Sequence, residues 1–346
     1  MKHVSEELNR LIKEAIDNKT KPRGSLGRLE ELAAQICRVQ GTTHPELKKP
    51  TILVFAADHG LAREPIAAYP QEVTVQMAHN MVAGGAGINA LCRQHGIEVI
   101  LVDAGVDWPE SRPESMIDHW VGPGTASSLT GDAMTEEQLE ACLAAGAAVV
   151  DENLDSESNV VGFGELGIGN TSPASLLVSA LAGISLPDCV GPGSGLNGEA
   201  LAKKLEILQQ VQAAHPQPGN AKEALRMFGG FEIAQMAGAM RRAYETGRLL
   251  LIDGFVATSA FLTVWADEPS IIENSVFCHK SKEPGHCKVM DFLGVNPLVD
   301  LEMRLGEGTG CAVAYPILVS ATTFLNDMAN FADTGVSTGT PEAEDA

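Results

Sequence analysis

The chain has 346 residues, 45% hydrophobic and 20% charged, with a net charge of −21 at pH 7 and a pI near 4.7. That length holds two domains, or one large one with an appendage, around a sizeable core. The acidic balance argues against nucleic acid as the main partner, since phosphate binding needs clustered Lys and Arg, and no apolar run approaches the roughly 18 residues of a membrane span. The start, Met1-Lys2-His3-Val4-Ser5-Glu6-Glu7, reads as a charged helix rather than a signal peptide. Seven cysteines without paired close spacing read as free thiols of a reducing compartment, which implies a cytoplasmic protein.

Taken in order, Val4, Leu8, Leu11, Ile12, Ala15 and Ile16 recur at helical spacing over 4–18. Pro22 and Gly24 stop that helix, and Leu26, Leu29, Leu32, Ala33 and Ile36 begin a second. The basic loop between them reads as an anion receiver or as a solvated turn. After a linker from Pro45 to Pro50, Thr51 to Ala57 reads as a buried strand bounded by Asp58-His59-Gly60. Such strands suit a parallel sheet whose site lies at the strand C-termini. His59 is there a base or ligand, or a satisfied strand-end histidine. A helix over 72–83, the run Gly84-Gly85-Ala86-Gly87, a helix from Ile88 and a strand from Val99 to Asp103 follow. These glycines imitate a dinucleotide fingerprint, but no strand precedes them, so they read as a helix-to-helix break. An oxidoreductase is thereby a weak alternative.

Thr135-Glu136-Glu137-Gln138 is a capping box opening a helix to about Val150. A strand from Asn159 runs into Gly164-Glu165-Leu166-Gly167-Ile168-Gly169-Asn170-Thr171, and Pro173 suits the first turn of the next helix. Strand, Gly-rich loop and helix N-terminus make an anion site, though not a Walker loop, because the Gly-Lys-Ser/Thr ending is missing. A second Gly-rich loop, Gly191-Pro192-Gly193-Ser194-Gly195, leads to a helix with Lys203 and Lys204. The two loops share a phosphate and a sugar, or the second is a surface turn. Leu249 to Asp253 is a further strand ending in an acid, followed by a helix from Ala257 to Trp265. Cys278, His279, His286 and Cys287 suggest zinc, but the spacing is not standard and Lys280, Lys282 and Lys288 would crowd a cation, so no metal is expected. In Arg304-Leu305-Gly306-Glu307-Gly308-Thr309-Gly310 one carboxylate sits among three glycines, ahead of a long apolar helix over 311–331 interrupted at Pro316. Residues 334–346 have the composition of a disordered tail.

Strands near 51, 99, 159, 250 and 275 alternating with helices give an α/β fold with a mostly parallel sheet. The expected organisation is N-terminal helices of a small domain over 1–48 and a catalytic domain over 49–300. The Glu307 loop and last helix over 301–333 complete the small domain, and 334–346 is the tail. Two Gly-flanked glutamates, Glu165 and Glu307, suggest acid–base work at one pocket, unless each loop is only a tight connection.

In order along nearly the whole chain, five blocks resemble one family. They are Lys21 to Glu30; Ala57 to Gly60 with Tyr69 to Thr74; Gly164 to Thr171; Gly229 to Glu232 with Leu251 to Phe255; and Arg304 to Gly310. The family is nicotinate-nucleotide–dimethylbenzimidazole phosphoribosyltransferase of the cobalamin pathway. The resemblance implies a homodimer with a Rossmann-like large domain and a small helical domain from both chain ends. It implies transfer of phosphoribose from nicotinate mononucleotide to a lower-ligand base, with small-molecule substrates and no cofactor, nucleic acid or membrane. It puts the catalytic base on Glu307. Phosphate and ribose contacts fall around Glu165, Gly167, Asn170, Thr171 and Gly193, and a lysine at Lys204. Tyr69, Met77 and Leu305 fall in the base pocket, where Tyr and Met make a large, soft wall that predicts tolerance of purines or phenolics. Two other readings use the same features: an N-glycoside hydrolase with water as nucleophile, and a non-catalytic nucleotide sensor.

Overall fold

The computed structural model describes residues 5–337. Within the unit Lys48–Ala314, six strands form one sheet: β1 (Thr51–Ala57), β2 (Glu98–Gly105), β3 (Ile117–Asp118), β4 (Val160–Leu166), β5 (Leu249–Ile252) and β6 (Ser275–Phe277). The order is β3-β2-β1-β4-β5-β6 and every pairing is parallel. This is the Rossmann-like α/β arrangement, with the strand order reversing between β1 and β4. The seven residues of β1 are all buried, as expected of a parallel strand covered on both faces. The helix Phe231–Glu245 lies on β1, β2, β4 and β5 and pairs with Glu136–Glu152. Helix Phe255–Trp265 packs on β4, β5 and the helix Thr171–Ala182.

Most elements follow the apolar periodicity, and the local signals act as expected. Thr135 Oγ1 accepts from Gln138 N at 3.2 Å, while Gln138 Oε1 accepts from Thr135 N at 2.9 Å, closing the capping box. Gly84 and Gly85 lie between the helices Glu72–Val82 and Gly87–His95, and the element directly ahead of them is a helix, not a strand. The differences are at ends and edges. β3 is two residues long and too short to carry a period. The last helix is Thr309–Asp327, and a separate single turn, Phe331–Asp333, replaces its expected end.

The other unit comprises the chain up to Leu47 and from Tyr315 onward. It holds the packed helices Glu6–Asp17 and Arg28–Gln40. Its two chain segments are tied by polar contacts: Lys19 Nζ donates to Met328 O at 2.8 Å, Asn326 Nδ2 to Pro45 O at 2.8 Å, and Phe331 N to Asn18 O at 2.9 Å. The basic loop between the helices turns one cation onto its own acid. Lys21 Nζ lies 2.8 Å from Glu30 Oε1, which also accepts from Leu26 N at 3.0 Å. The division between units falls at Ala314/Tyr315, within the last helix, and the Glu307 loop lies in the larger unit. Residues 1–4, and 338–346 of the expected tail, lie outside the described residues. Among the described residues no helix is long and apolar enough to cross a membrane.

Candidate active site

A cavity of about 510 Å³ opens beyond the C-terminal ends of β4, β5 and β6, all within the larger unit. That is where an open parallel sheet offers a crevice. Glu165, Gly167, Asn170, Thr171 and Gly193 line it, as do Glu307 and the three residues expected at the base pocket, Tyr69, Met77 and Leu305. The structure thus brings together every predicted site residue except Lys204.

Glu307 is held by backbone geometry. Gly306, Glu307 and Gly308 have φ of +80°, +62° and +81°, three left-handed residues in succession. Such a run favours glycine, so the middle residue carries the strain. The loop lies directly on β4 because Gly164 has no side chain: a Cβ there would meet Gly308 N at 2.4 Å. Glu307 is 4% exposed, and its Oε2 accepts from Ile88 N at 3.3 Å, in the first turn of the helix Gly87–His95. Burial raises its affinity for a proton, and the Ile88 amide moderates the rise.

Glu165 is the penultimate residue of β4 and takes the side-chain amide of Asn170 on Oε2. Its carboxyl is pushed up to about 8, chiefly by burial and further by the charges of Asp253, Glu232 and Glu307, against the pull of Asn170. Asp253, just after β5, is raised to about 7, again chiefly by burial, while the Gly310 and Gly308 amides pull it down. Three acids with raised proton affinity therefore stand together.

Two cations stand against the loop from Gly191 to Gly195. Lys204 is fully buried behind the wall. Its Nζ donates to Thr171 Oγ1 at 2.9 Å and to Gly191 O at 3.1 Å, tying the two Gly-rich loops. Burial lowers its pKa to about 8, with Glu283 pulling it up. Lys203 instead points outward and pairs with Glu206 at 2.9 Å. Arg304 lines the cavity, and its Nη1 donates to Gly193 O at 2.8 Å.

Sequence reasoning gave no site role to Glu283, His279 or Arg304, although all three line the cavity. Glu283 Oε1 accepts from Gly193 N at 3.0 Å, and its Oε2 has no hydrogen-bond partner. His279 Nε2 lies 3.5 Å from Asp253 Oδ1, and burial lowers its pKa. The signal for these two was the Cys278–Cys287 stretch, which reads as a metal candidate. Among the described residues no cluster of His, Cys, Asp and Glu is suited to a metal. His286 there is structural: Nδ1 accepts from Ser281 N at 2.8 Å, Nε2 meets Thr258 Oγ1 at 3.1 Å, and burial depresses its pKa to about 3. His59 is a satisfied strand-end histidine, with Nε2 2.8 Å from Glu232 Oε1. Burial lowers its pKa, but the charge and hydrogen bond of Glu232, with Asp58, outweigh this and leave it raised.

The arrangement offers buried carboxylates, backbone and cationic donors around the Gly191–Gly195 loop, and a mouth walled by Tyr69 and Leu305, which are 55% and 59% exposed. A phosphorylated sugar with an aromatic acceptor fits that division of charge.

A family model described as phosphoribosyltransferase matches residues 1–336. Among curated relatives, the nicotinate-nucleotide–dimethylbenzimidazole phosphoribosyltransferase of Cupriavidus necator is 47% identical over 330 residues, 95% of each chain. The protein of that name from Aromatoleum aromaticum is 47% identical over 329 residues, 95% of this chain and 96% of the other. The crystal structure of CobT from Thermus thermophilus aligns with a TM-score of 0.92 at 37% identity, over 96% of this chain and 100% of that one.

Proposed function

The chain belongs to the nicotinate-nucleotide–dimethylbenzimidazole phosphoribosyltransferase family, and on that basis we propose that it transfers phosphoribose from nicotinate mononucleotide to 5,6-dimethylbenzimidazole. The products are α-ribazole 5′-phosphate and nicotinate, a step of cobalamin biosynthesis. The observation that carries the reading is Glu307, a buried carboxylate fixed on a left-handed loop and facing the same cavity as Glu165 and the Gly193 loop.

The donor's pyridinium leaves as neutral-ring nicotinate, taking the electron pair of the glycosidic bond. The anomeric carbon gains oxocarbenium character, which Glu165 stabilises once its carboxyl, raised to about 8, has given up its proton. One ring nitrogen of the benzimidazole attacks from the opposite face, so the β donor becomes an α product. The other nitrogen loses its proton to Glu307, whose raised proton affinity suits a base working near neutrality. Gly193, Thr171 and Arg304 hold the phosphate end, with Lys204 bracing Thr171 from behind. Positioning donor and acceptor in line supplies much of the remaining acceleration. The reading includes a homodimer in the cytoplasm, and seven free thiols, six of them buried, support a reducing compartment. Size-exclusion chromatography with light scattering tests the dimer.

The test is product formation from nicotinate mononucleotide and 5,6-dimethylbenzimidazole by wild type and Glu307→Gln. We expect base-dependent ribazole phosphate, with kcat down about 10²–10⁴-fold in the variant. Nicotinate release that needs no acceptor base would favour a hydrolase.

A further inference from the structure

The helix Thr309–Asp327 begins after Gly308, which has no side chain to cap it. The first N–H groups of any helix need outside partners. Here they find them on another strand. Asp253, at the end of β5, accepts from Gly308 N at 3.0 Å through Oδ2 and from Gly310 N at 2.6 Å through Oδ1. The carboxylate is 2% exposed, and His279 Nε2 stands 3.5 Å from Oδ1.

These two amides lie on the C-terminal side of Glu307, and the remaining ones nearby are also held. Glu307 N donates to Glu165 O at 3.3 Å, and Thr309 N to Gly306 O at 3.0 Å. Every backbone N–H from 307 to 310 is thus engaged. Only with such restraint does a glutamate stay at φ +62° between two left-handed glycines.

We propose that Asp253 is the positioning residue for Glu307: it caps the last helix from β5 and so fixes the direction in which the Glu307 carboxylate meets the acceptor base. The proposal rests on the reading of Glu307 as that base. Asp253 does not line the cavity, so it acts through the loop and not on substrate. An asparagine in its place keeps the shape but offers one acceptor oxygen, and its amide N–H would face a backbone N–H. The loop would lose one anchor while the phosphate-binding end, held by Gly193, Thr171 and Lys204, would keep its own bonds.

The experiment is a double-mutant cycle of Asp253→Asn and Glu307→Gln, with kcat, KM and nicotinate mononucleotide binding measured on each protein. We expect Asp253→Asn to lower kcat at least about tenfold with donor affinity within about threefold. We expect the double variant to be no slower than Glu307→Gln alone, because a residue that acts only through Glu307 has nothing left to position. Losses that multiply, or an unchanged kcat in Asp253→Asn, overturn the positioning role and leave the base assignment standing. A wild-type rate in Glu307→Gln overturns the base assignment itself. Hydrogen exchange on the wild type decides the matter if Asp253→Asn does not fold. Slow exchange at Gly308 and Gly310 is expected, and free-peptide rates there overturn the proposal.

Discussion

β4 and β5 lie side by side, run in the same direction and carry an acid at the same end, yet the two acids do different work. Asp253 spends both carboxylate oxygens on backbone amides and faces inward. Glu165 is bound through one oxygen by the side-chain amide of Asn170, and it opens on the cavity. Burial raises the proton affinity of both, to about 8 for Glu165 and about 7 for Asp253. Shared burial and shared place in the sheet therefore do not set an acid's role. On the reading proposed above the partners separate them: two backbone donors occupy both oxygens of Asp253, whereas one side-chain donor leaves an oxygen of Glu165 open to a ligand.

The sharpest way to break this contrast is Glu165→Gln. An acid that stabilises charge at the anomeric carbon should cost about 10²–10³-fold in kcat when neutralised. Its loss should multiply with that of Glu307→Gln, unlike the loss from Asp253→Asn. Rates of ribazole phosphate formation in the double variant decide it, and a non-multiplying result would make Glu165 another anchor.

Next comes Lys204→Met, which removes the shared donor of Thr171 Oγ1 and Gly191 O. Two acceptors left without it should cost about 1–3 kcal/mol of stability. The KM for nicotinate mononucleotide should rise about tenfold while kcat changes less than about threefold. A kcat effect larger than the KM effect would move Lys204 from the binding end to the chemistry.

A smaller effect separates the acids by pH. Their folded-state values lie above the ordinary 3.8 and 4.5, so the folded protein keeps protons that the unfolded chain has released. The stability they contribute is full below those ordinary values and is lost as pH rises through about 7 for Asp253 and about 8 for Glu165. The melting temperature of Glu165→Gln should therefore fall less than that of wild type between about pH 5 and about pH 8. Equal slopes would mean that Glu165 titrates normally. Smallest is the base mouth. Tyr69→Ser should change the relative rates across benzimidazole, purine and phenolic acceptors by a few fold, and an unchanged order would remove Tyr69 from base selection.

Much of the site was legible because its loops announce themselves. Glu165 and Glu307 sit among glycines, and Gly193 lies in a second such run. What could not be read was long-range. His279 and Glu283 reach the cavity from beyond β6, and their place depends on how that strand registers against β5. Lys203 and Lys204 differ by one helical step, and only the packed helix shows that Lys204 is the buried one. That Asp253 closes a strand was visible. That it caps a helix beginning 56 residues later was not, because capping across a fold leaves no local spacing. The mostly parallel α/β sheet followed from the alternation of strands and helices and its Rossmann-like arrangement from the family resemblance, but the two-residue β3 has no period to show.

The left-handed backbone at Glu307 also bears on how such an enzyme can be improved. Glycine at that position would relieve strain of about 1 kcal/mol or more and remove a buried carboxylate. A laboratory selection for heat resistance alone would thus drift toward Glu307→Gly, a sturdier protein that, on the base assignment proposed above, turns over far more slowly. Thermostable variants of this scaffold need to be selected for product at every round.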